Sequence, residues 1–283
     1  MVRDVRLVVN PDAGRGWAAA QASAVAEVMR THGWTVEVCH ATAGQLESLA
    51  SAVDPHVLVC SLGGEGTHAR VASGAYVAGA LFTPLPGGRG NDLVRAVGLP
   101  RHPVAAAQRL LHVQERRIDL GDVGGAPFLG VVSIGASARA NALANSSPMT
   151  GAGAYHVAAA RMALNARPST YRLDLDGEVL EVAAYEVAIG LSGRYGGGMR
   201  VCPQAELDDG LLDVTIITGP RSTFPRVLTS MFNGRLGSVR GVLMLRARTV
   251  HVEGEGPVFA DGDRIGDLPI TATVSPRALR LLA

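Results

Sequence analysis

Over the first hundred residues, short β-branched and aliphatic runs alternate with helix-like stretches. The runs 5–9, 35–39, 56–62 and 81–85 read as strands. Residues 17–31, 44–53, 67–78, 92–97 and 104–112 read as helices, the fourth stopped by Gly98 and Pro100. This βα alternation predicts a parallel sheet with helices on its faces.

The pattern changes near Arg117. Short β-rich runs punctuated by Gly, Asp and Pro follow at 128–134, 171–175, 179–191, 211–217, 249–253 and 270–274, interrupted by one helix, 154–165. This half reads as mainly antiparallel, a sandwich or distorted barrel. The expected division is an α/β domain with a parallel sheet over 1–118 and a β-rich domain over 119–276, with the tail 277–283 able to return to the first sheet. No internal repeat or low-complexity tract is visible.

Composition narrows the chemistry. The apolar content is 47% of 283 residues with only 4% aromatic, mostly Ala, Val and Leu, which suits a packed α/β core. A net charge of +1 leaves no electrostatic footprint for nucleic acid. The chain has no lysine, which excludes a Walker-type P-loop, whose Lys reaches the phosphates. Cys39, Cys60 and Cys202 are far apart and form no CxxC pair, so reduced thiols in a cytoplasmic protein are expected. The chain enters a strand almost at once, with no visible signal peptide, and no apolar run reaches membrane-spanning length. Membrane contact, if any, is expected to be peripheral and from the cytosol.

Three glycine loops follow predicted strands. The stretch VCSLGGEGTHARVASG, residues 59–74, runs from strand through glycines into a helix. Such a turn exposes backbone N–H groups and the helix dipole to an anion, and glycine lets the backbone approach closely. A carboxylate there, Glu65, would repel phosphate unless a divalent cation lies between or the carboxylate bonds a hydroxyl. The structural reading is a tight βα turn with Thr67 capping the helix. The second loop is Pro86-Gly87-Gly88-Arg89-Gly90-Asn91-Asp92, where Asn91 would make a good N-cap and Arg89 could pair with phosphate oxygens. Asn10, Gly14, Arg15 and Gly16 form the third. Loops at the carboxyl ends of parallel strands converge where ligands bind open α/β sheets. The eight histidines show no metal spacing, and His68, beside the first loop, is expected on a helix surface.

Five motifs in order resemble the diacylglycerol kinase catalytic-domain family of bacterial soluble lipid kinases, related to sphingosine kinases and more distantly to NAD kinases. They are Asn10-Pro11-Asp12-Ala13-Gly14; Gly63-Gly64-Glu65-Gly66-Thr67; Gly88-Arg89-Gly90-Asn91-Asp92; the run from Gly196-Gly197-Gly198-Met199 to Asp208-Asp209-Gly210-Leu211-Leu212-Asp213; and Asp261-Gly262-Asp263. The resemblance implies an α/β nucleotide domain, a β-sandwich acceptor domain, an active site in a cleft between them, and ATP with Mg²⁺ as cofactors. It implies nucleotide contacts from Asn10, Gly14, Thr42, Gly63, Gly64, Glu65, Gly66, Thr67, Gly88, Arg89, Asn91 and Asp92. It makes Asp263 the general base and Glu65 its catalytic companion. It also implies a structural cation held by the Asp209 carboxylate and the carbonyls of Glu206 and Leu211.

The chain departs from the family pattern at four places. Glu65 stands where the family has Asp, Asp263 where it has Glu, Arg89 where it has Thr, and Arg70 where a Glu is usual. The segment 141–153 lacks the basic residues that relatives often carry, which favours a soluble or unusual acceptor over a lipid in an anionic bilayer. Three readings stay open: a kinase for a lipid hydroxyl such as that of diacylglycerol, a kinase of the same fold for a soluble small-molecule hydroxyl, and a nucleotide-binding protein without catalysis.

Overall fold

The computed structural model describes residues 4–146 and 167–283. The predicted helix 154–165 and most of the segment 141–153 lie outside the described residues. The chain divides into two compact units: residues up to Leu120 with Leu207–Asp209 and Ser275–Ala283, and Gly121–Glu206 with Gly210–Val274.

The first unit follows the βα pattern. Strands β1 (Asp4–Val9), β2 (Thr35–His40), β3 (Leu58–Gly63) and β4 (Leu81–Pro86) form a parallel sheet in the order β2-β1-β3-β4. Both β3 and β4 are buried along their whole length, as expected of strands covered on both faces. Helix α1 (Trp17–Thr31) buries Ala18, Ala22, Val25, Ala26 and Met29, one stripe at helical spacing. Helix α2 (Leu46–Ser51) is shorter than the reading 44–53. Helix α3 (Glu65–Val77) begins two residues earlier than expected and crosses α2 closely at Gly74, where a Cβ would meet the Glu47 carbonyl at 2.3 Å. Helices α4 (Asp92–Ala96) and α5 (Pro103–Arg109) complete the unit, α5 ending in a 3-10 turn.

The tail closes this sheet. The end of the last strand, Ile270–Leu282, pairs in parallel with β4 through Arg280 and Leu281. Thr83 donates its hydroxyl to the Leu282 carbonyl at 2.8 Å, and Arg280 forks onto Glu115 at 2.7 and 3.1 Å. Asp119, fully buried, accepts the Arg277 N–H at 2.7 Å and donates its own N–H to the Leu207 carbonyl at 2.6 Å. One residue, through its carboxylate and its main-chain N–H, thus ties three distant stretches of sequence together.

The second unit is built mainly of antiparallel strands. Strand β5 (Glu115–Val123) enters it and pairs with β6 (Ala126–Phe128). A six-stranded sheet joins β7 (Val131–Gly135), β10 (Glu186–Gly190), β13 (Leu212–Ile217), β14 (Val242–Ala247), β16 (Pro257–Ala260) and β17 (Asp263–Asp267) in the order β14-β13-β10-β7-β16-β17. A second run pairs β8 (Ser169–Leu175) with β9 (Glu178–Ala184), and β8 with β15 (Thr249–Glu253), which pairs with the first half of the last strand, β18. The pieces β11 (Arg194–Tyr195) and β12 (Met199–Arg200) form a hairpin around the three glycines 196–198.

Two sequence expectations change here. The run 179–191 is not one strand: β9 alternates exposed and buried positions, whereas β10 is buried throughout, and the two enter different sheets at Tyr185. Two further helices are present, α6 (Ala136–Ser146) and α7 (Phe224–Asn233). On one side of the six-stranded sheet Val131, Ala188 and Ile217 pack with Val227 and Met231 of α7.

Candidate active site

The loops after β1, β3 and β4 leave adjacent strands on the carboxyl edge of the parallel sheet. The chain order reverses between β1 and β3, since β2 lies on one side of β1 and β3 on the other. That switch point is where open α/β sheets leave a crevice for ligands.

The glycines let these loops touch each other. A Cβ on Gly88 would meet the Gly64 Cα at 2.6 Å, one on Gly14 the Gly87 carbonyl at 2.5 Å, and one on Gly63 the Thr67 side chain at 2.6 Å. The Gly87 N–H donates to the Gly63 carbonyl at 2.7 Å. Gly64 is different: its Cβ would find only the Gly88 Cα, at an ordinary 3.6 Å. Space at Gly64 is therefore not claimed by the fold.

Side chains complete the loops. Asn10 donates its amide to the Thr67 hydroxyl at 3.0 Å, and its carbonyl accepts the Asp12 N–H at 3.1 Å. Thr67 lies inside the first turn of α3, whose N-cap is Gly64, so it does not cap the helix as expected. Asn91 stands at the N-cap position of α4 but does not cap it either. Its left-handed backbone, φ 52°, turns the side chain back, where it accepts the Gly88 N–H at 3.0 Å and donates to the Gly88 carbonyl at 3.1 Å. Thr42, after β2, gives its hydroxyl to Gln45 at 3.0 Å. Arg89 is exposed on the loop after β4.

The first intrahelical bond of α3 runs from His68 N–H to the Gly64 carbonyl at 2.9 Å, so the Gly66 and Thr67 N–H groups have no intrahelical acceptor. With the helix dipole behind them they form a cradle suited to phosphate. The residues present thus fit the phosphates of a nucleotide.

The carboxylates are already engaged. Glu65, half-buried, accepts the N–H of Asp92, the first residue of α4, at 2.5 Å. Burial raises its pKa, opposed by that hydrogen bond. Asp92 is buried and lies 3.5 Å from the Arg95 guanidinium. His68 corrects the sequence reading: it is fully buried, with the Ser61 hydroxyl 2.6 Å from Nδ1 and Nε2 without a hydrogen-bond partner. Helix α3 is packed on α2 and on β3, and His68 falls among its buried positions rather than beside the half-buried Arg70 and Ser73. Burial pushes the imidazole down to about 3, which keeps it neutral.

In the second unit Asp263 is exposed at the start of β17, opposite Ala260. Asp261 and Gly262, both at positive φ, form the two-residue hairpin turn that presents it. Asp261 carries a role that sequence reasoning missed. Its carboxylate accepts the N–H groups of Leu129 at 2.9 Å, Gly130 at 2.9 Å and Val131 at 3.0 Å. The signal was legible as an Asp-Gly hairpin, but the three donors lie some 130 residues away. Glu186 is a second missed carboxylate: nearly fully buried, it takes the N–H and hydroxyl of Ser137 at the start of α6. Burial pushes it up to about 7.

The residues of the implied cation turn divide between the units. Asp209 belongs to the first, Glu206 and Leu211 to the second. No cluster of three His, Cys, Asp or Glu able to hold a metal occurs among the described residues. No helix among them is long and apolar enough to cross a membrane.

A glycine-lined anion cradle at the switch point of a parallel sheet, followed by an antiparallel β unit, defines a phosphotransferase of the two-part lipid-kinase kind. The chain belongs to the diacylglycerol kinase and YegS-like lipid kinase family. Residues 4–123 match the diacylglycerol kinase catalytic domain, and residues 130–283 match the YegS C-terminal NAD kinase beta sandwich-like domain. A relative named diacylglycerol kinase from Mycobacterium tuberculosis is 33% identical, covering 98% of this chain and 94% of its own. A protein from Pseudomonas aeruginosa named "Probable lipid kinase YegS-like" is 35% identical over 77% of this chain and 74% of its own. The crystal structure of a diacylglycerol kinase from Bacillus anthracis superposes with a TM-score of 0.78 at 21% identity, covering 99% of this chain and 96% of that one, and shows the same fold. Kinases of this family use ATP.

Proposed function

We propose that the protein transfers the γ-phosphoryl group of ATP to a hydroxyl of a lipid such as diacylglycerol. The observation that carries this reading is the pair of N–H groups at Gly66 and Thr67, without intrahelical acceptors, at a helix N-terminus on the switch point. Bound ATP supplies the phosphoryl group and the negative charge that these groups meet. Gly66 and Thr67 hold phosphate oxygens through their main chain, and Gly64 keeps the approach open. Arg89 adds a guanidinium to the same anion. Asn10 fixes Thr67, and Asn91 holds the loop after β4 in its turn. A magnesium ion arriving with the nucleotide takes hard oxygen ligands, and the carboxylates of Glu65 and Asp92 are the candidates to supply them. Asp263 takes the proton of the acceptor hydroxyl, which asks for an exposed carboxylate on a rigid support. Asp261 gives that support.

The test is incubation with radiolabelled ATP, Mg²⁺ and diacylglycerol in detergent micelles, beside a panel of soluble alcohols. Labelled phosphatidic acid is the expected product. Phosphorylation of a soluble alcohol alone, or ATP binding with no turnover of any acceptor, would overturn the lipid assignment.

A further inference from the structure

The second unit carries a surface that this chemistry does not use. Between Asp213 and Glu253 the chain has six arginines and no acidic residue, although the whole protein is close to neutral at +1. Helix α7 stands in that stretch. Its inner face seats Val227, Ser230 and Met231 in the core. Its outer side is not wholly polar, as that of a solvated helix would be: the apolar stripe runs on into water at Leu228, 47% exposed, and Phe232, 58% exposed, one turn apart. Arg221 precedes the helix in the chain, Arg226 stands in its first turn and Arg235 follows its end. Arg226 and Arg235 are exposed and make no ion pair among the described residues. Two large side chains are thus held in water on a helix bracketed by cations.

We propose that the outer face of α7 docks the protein onto an anionic lipid bilayer, Leu228 and Phe232 entering the headgroup boundary and Arg221, Arg226 and Arg235 facing lipid phosphates. An amphipathic helix lying in the interface, with bulky apolar groups on one face and arginine at its margins, binds by these two contributions together. Charge favours this occupant, since an acid-free arginine-rich stretch complements an anionic surface. Size favours it over a second copy of the chain, because two exposed side chains are a small part of the roughly 1,000 Å² that a stable protein interface buries. The inference rests on the proposed lipid acceptor, whose hydroxyl lies at a membrane surface. It places bilayer contact on α7, where the arginine-free segment 141–153 offered no cation.

Co-sedimentation with vesicles of phosphatidylcholine alone and of phosphatidylcholine with phosphatidylglycerol tests it. Wild type is expected to partition onto the mixed vesicles about tenfold more than onto neutral ones, less so at high salt. The pairs Leu228→Ser with Phe232→Ser and Arg226→Glu with Arg235→Glu should each lower that partitioning about tenfold, with thermal unfolding and micellar activity unchanged. Wild type that ignores anionic vesicles, or variants that partition like wild type, would overturn the proposal. So would a wild-type dimer that the variants convert to monomer. Wild type that binds vesicles yet phosphorylates no diacylglycerol in any form would sink the acceptor assignment and leave the docking face standing.

Discussion

The carboxylate of Glu65, at the head of α3, accepts the backbone N–H of Asp92, at the head of α4, at 2.5 Å. Two helix N-termini from different βα units are thereby joined by one side chain. The acid inside the glycine loop serves the loop's own geometry, whatever it does for a ligand. Glu65→Asp, which restores the family's residue, withdraws the carboxylate by about one C–C bond and loses the contact. It should destabilise the first unit by about 1–3 kcal/mol, the range for a hydrogen bond to a charged group. Glu65→Gln keeps an acceptor at the same reach and should cost less. Thermal unfolding of both variants checks the order.

Gly64 and Gly88 separate folding from binding. Gly88→Ala forces a Cβ to 2.6 Å from the Gly64 Cα, main chain against main chain, and should lower the melting temperature by several degrees, an effect of about 1–3 kcal/mol. Gly64→Ala meets nothing closer than 3.6 Å and should melt close to wild type. Gly64→Asp adds negative charge at the cradle and should abolish ATP binding in calorimetry while the protein stays folded.

Asp261 and Asp263, two residues apart, are expected to fail differently. Asp261→Ala strips acceptors from three N–H groups and should destabilise the second unit by about 2–4 kcal/mol. Asp263→Asn removes basicity on an exposed site, so unfolding should be unchanged and turnover should fall by about 100-fold or more with ATP affinity kept. Denaturant curves and initial rates on the same two proteins distinguish the roles.

Glu186 gives the second unit a pH signature. Its folded pKa of about 7 lies above the ordinary 4.5, so the buried group contributes most when protonated. That contribution is complete below about pH 4.5 and is lost as pH rises through about 7, on the order of 3 kcal/mol in all. Hydrogen-exchange protection factors at β10, corrected for the intrinsic rise of exchange with pH, should fall over that window in wild type and stay level in Glu186→Gln.

His68 has the opposite sign. Its folded pKa of about 3 lies below the ordinary 6.5, so its contribution is complete above pH 6.5 and is lost as pH falls toward 3. Both tryptophans, Trp17 and Trp34, lie in the first unit, so their fluorescence during denaturation reads it. Acid sensitivity in wild type and its loss in His68→Gln would support the burial; an identical slope in both would exclude it.

The local pattern was sufficient for the α/β half. Strands β3 and β4 are short apolar runs buried along their whole length, and β1, β3 and β4 each run into a glycine loop, so hydrophobicity and turn chemistry pointed the same way. The order of five motifs was sufficient for the family. Helix α7 is absent from the sequence reading although Phe224, Val227, Leu228, Met231 and Phe232 fall at helical spacing, a signal that was there to be read. Strands β9 and β10 merged in the reading because a continuous run of Val, Ala and Ile carries no mark of a change of sheet.

The linear sequence determined which residues are candidates for the site: the glycines, Glu65, Asn91, Asp92 and the Asp-Gly-Asp hairpin, all local and all close in type to the family motifs. Tertiary structure alone decided what each one touches. Glu65 reaches Asp92 across 27 positions, Asp119 reaches Arg277 across 158 and Asp261 reaches Gly130 across 131. A carboxylate is drawn to main-chain N–H groups left unpaired by a turn or helix end, and those donors meet it only when the sheets have brought distant segments together. The same folding buried His68, because α3 is covered on two sides, and left Phe232 in water, because nothing in the described chain covers α7.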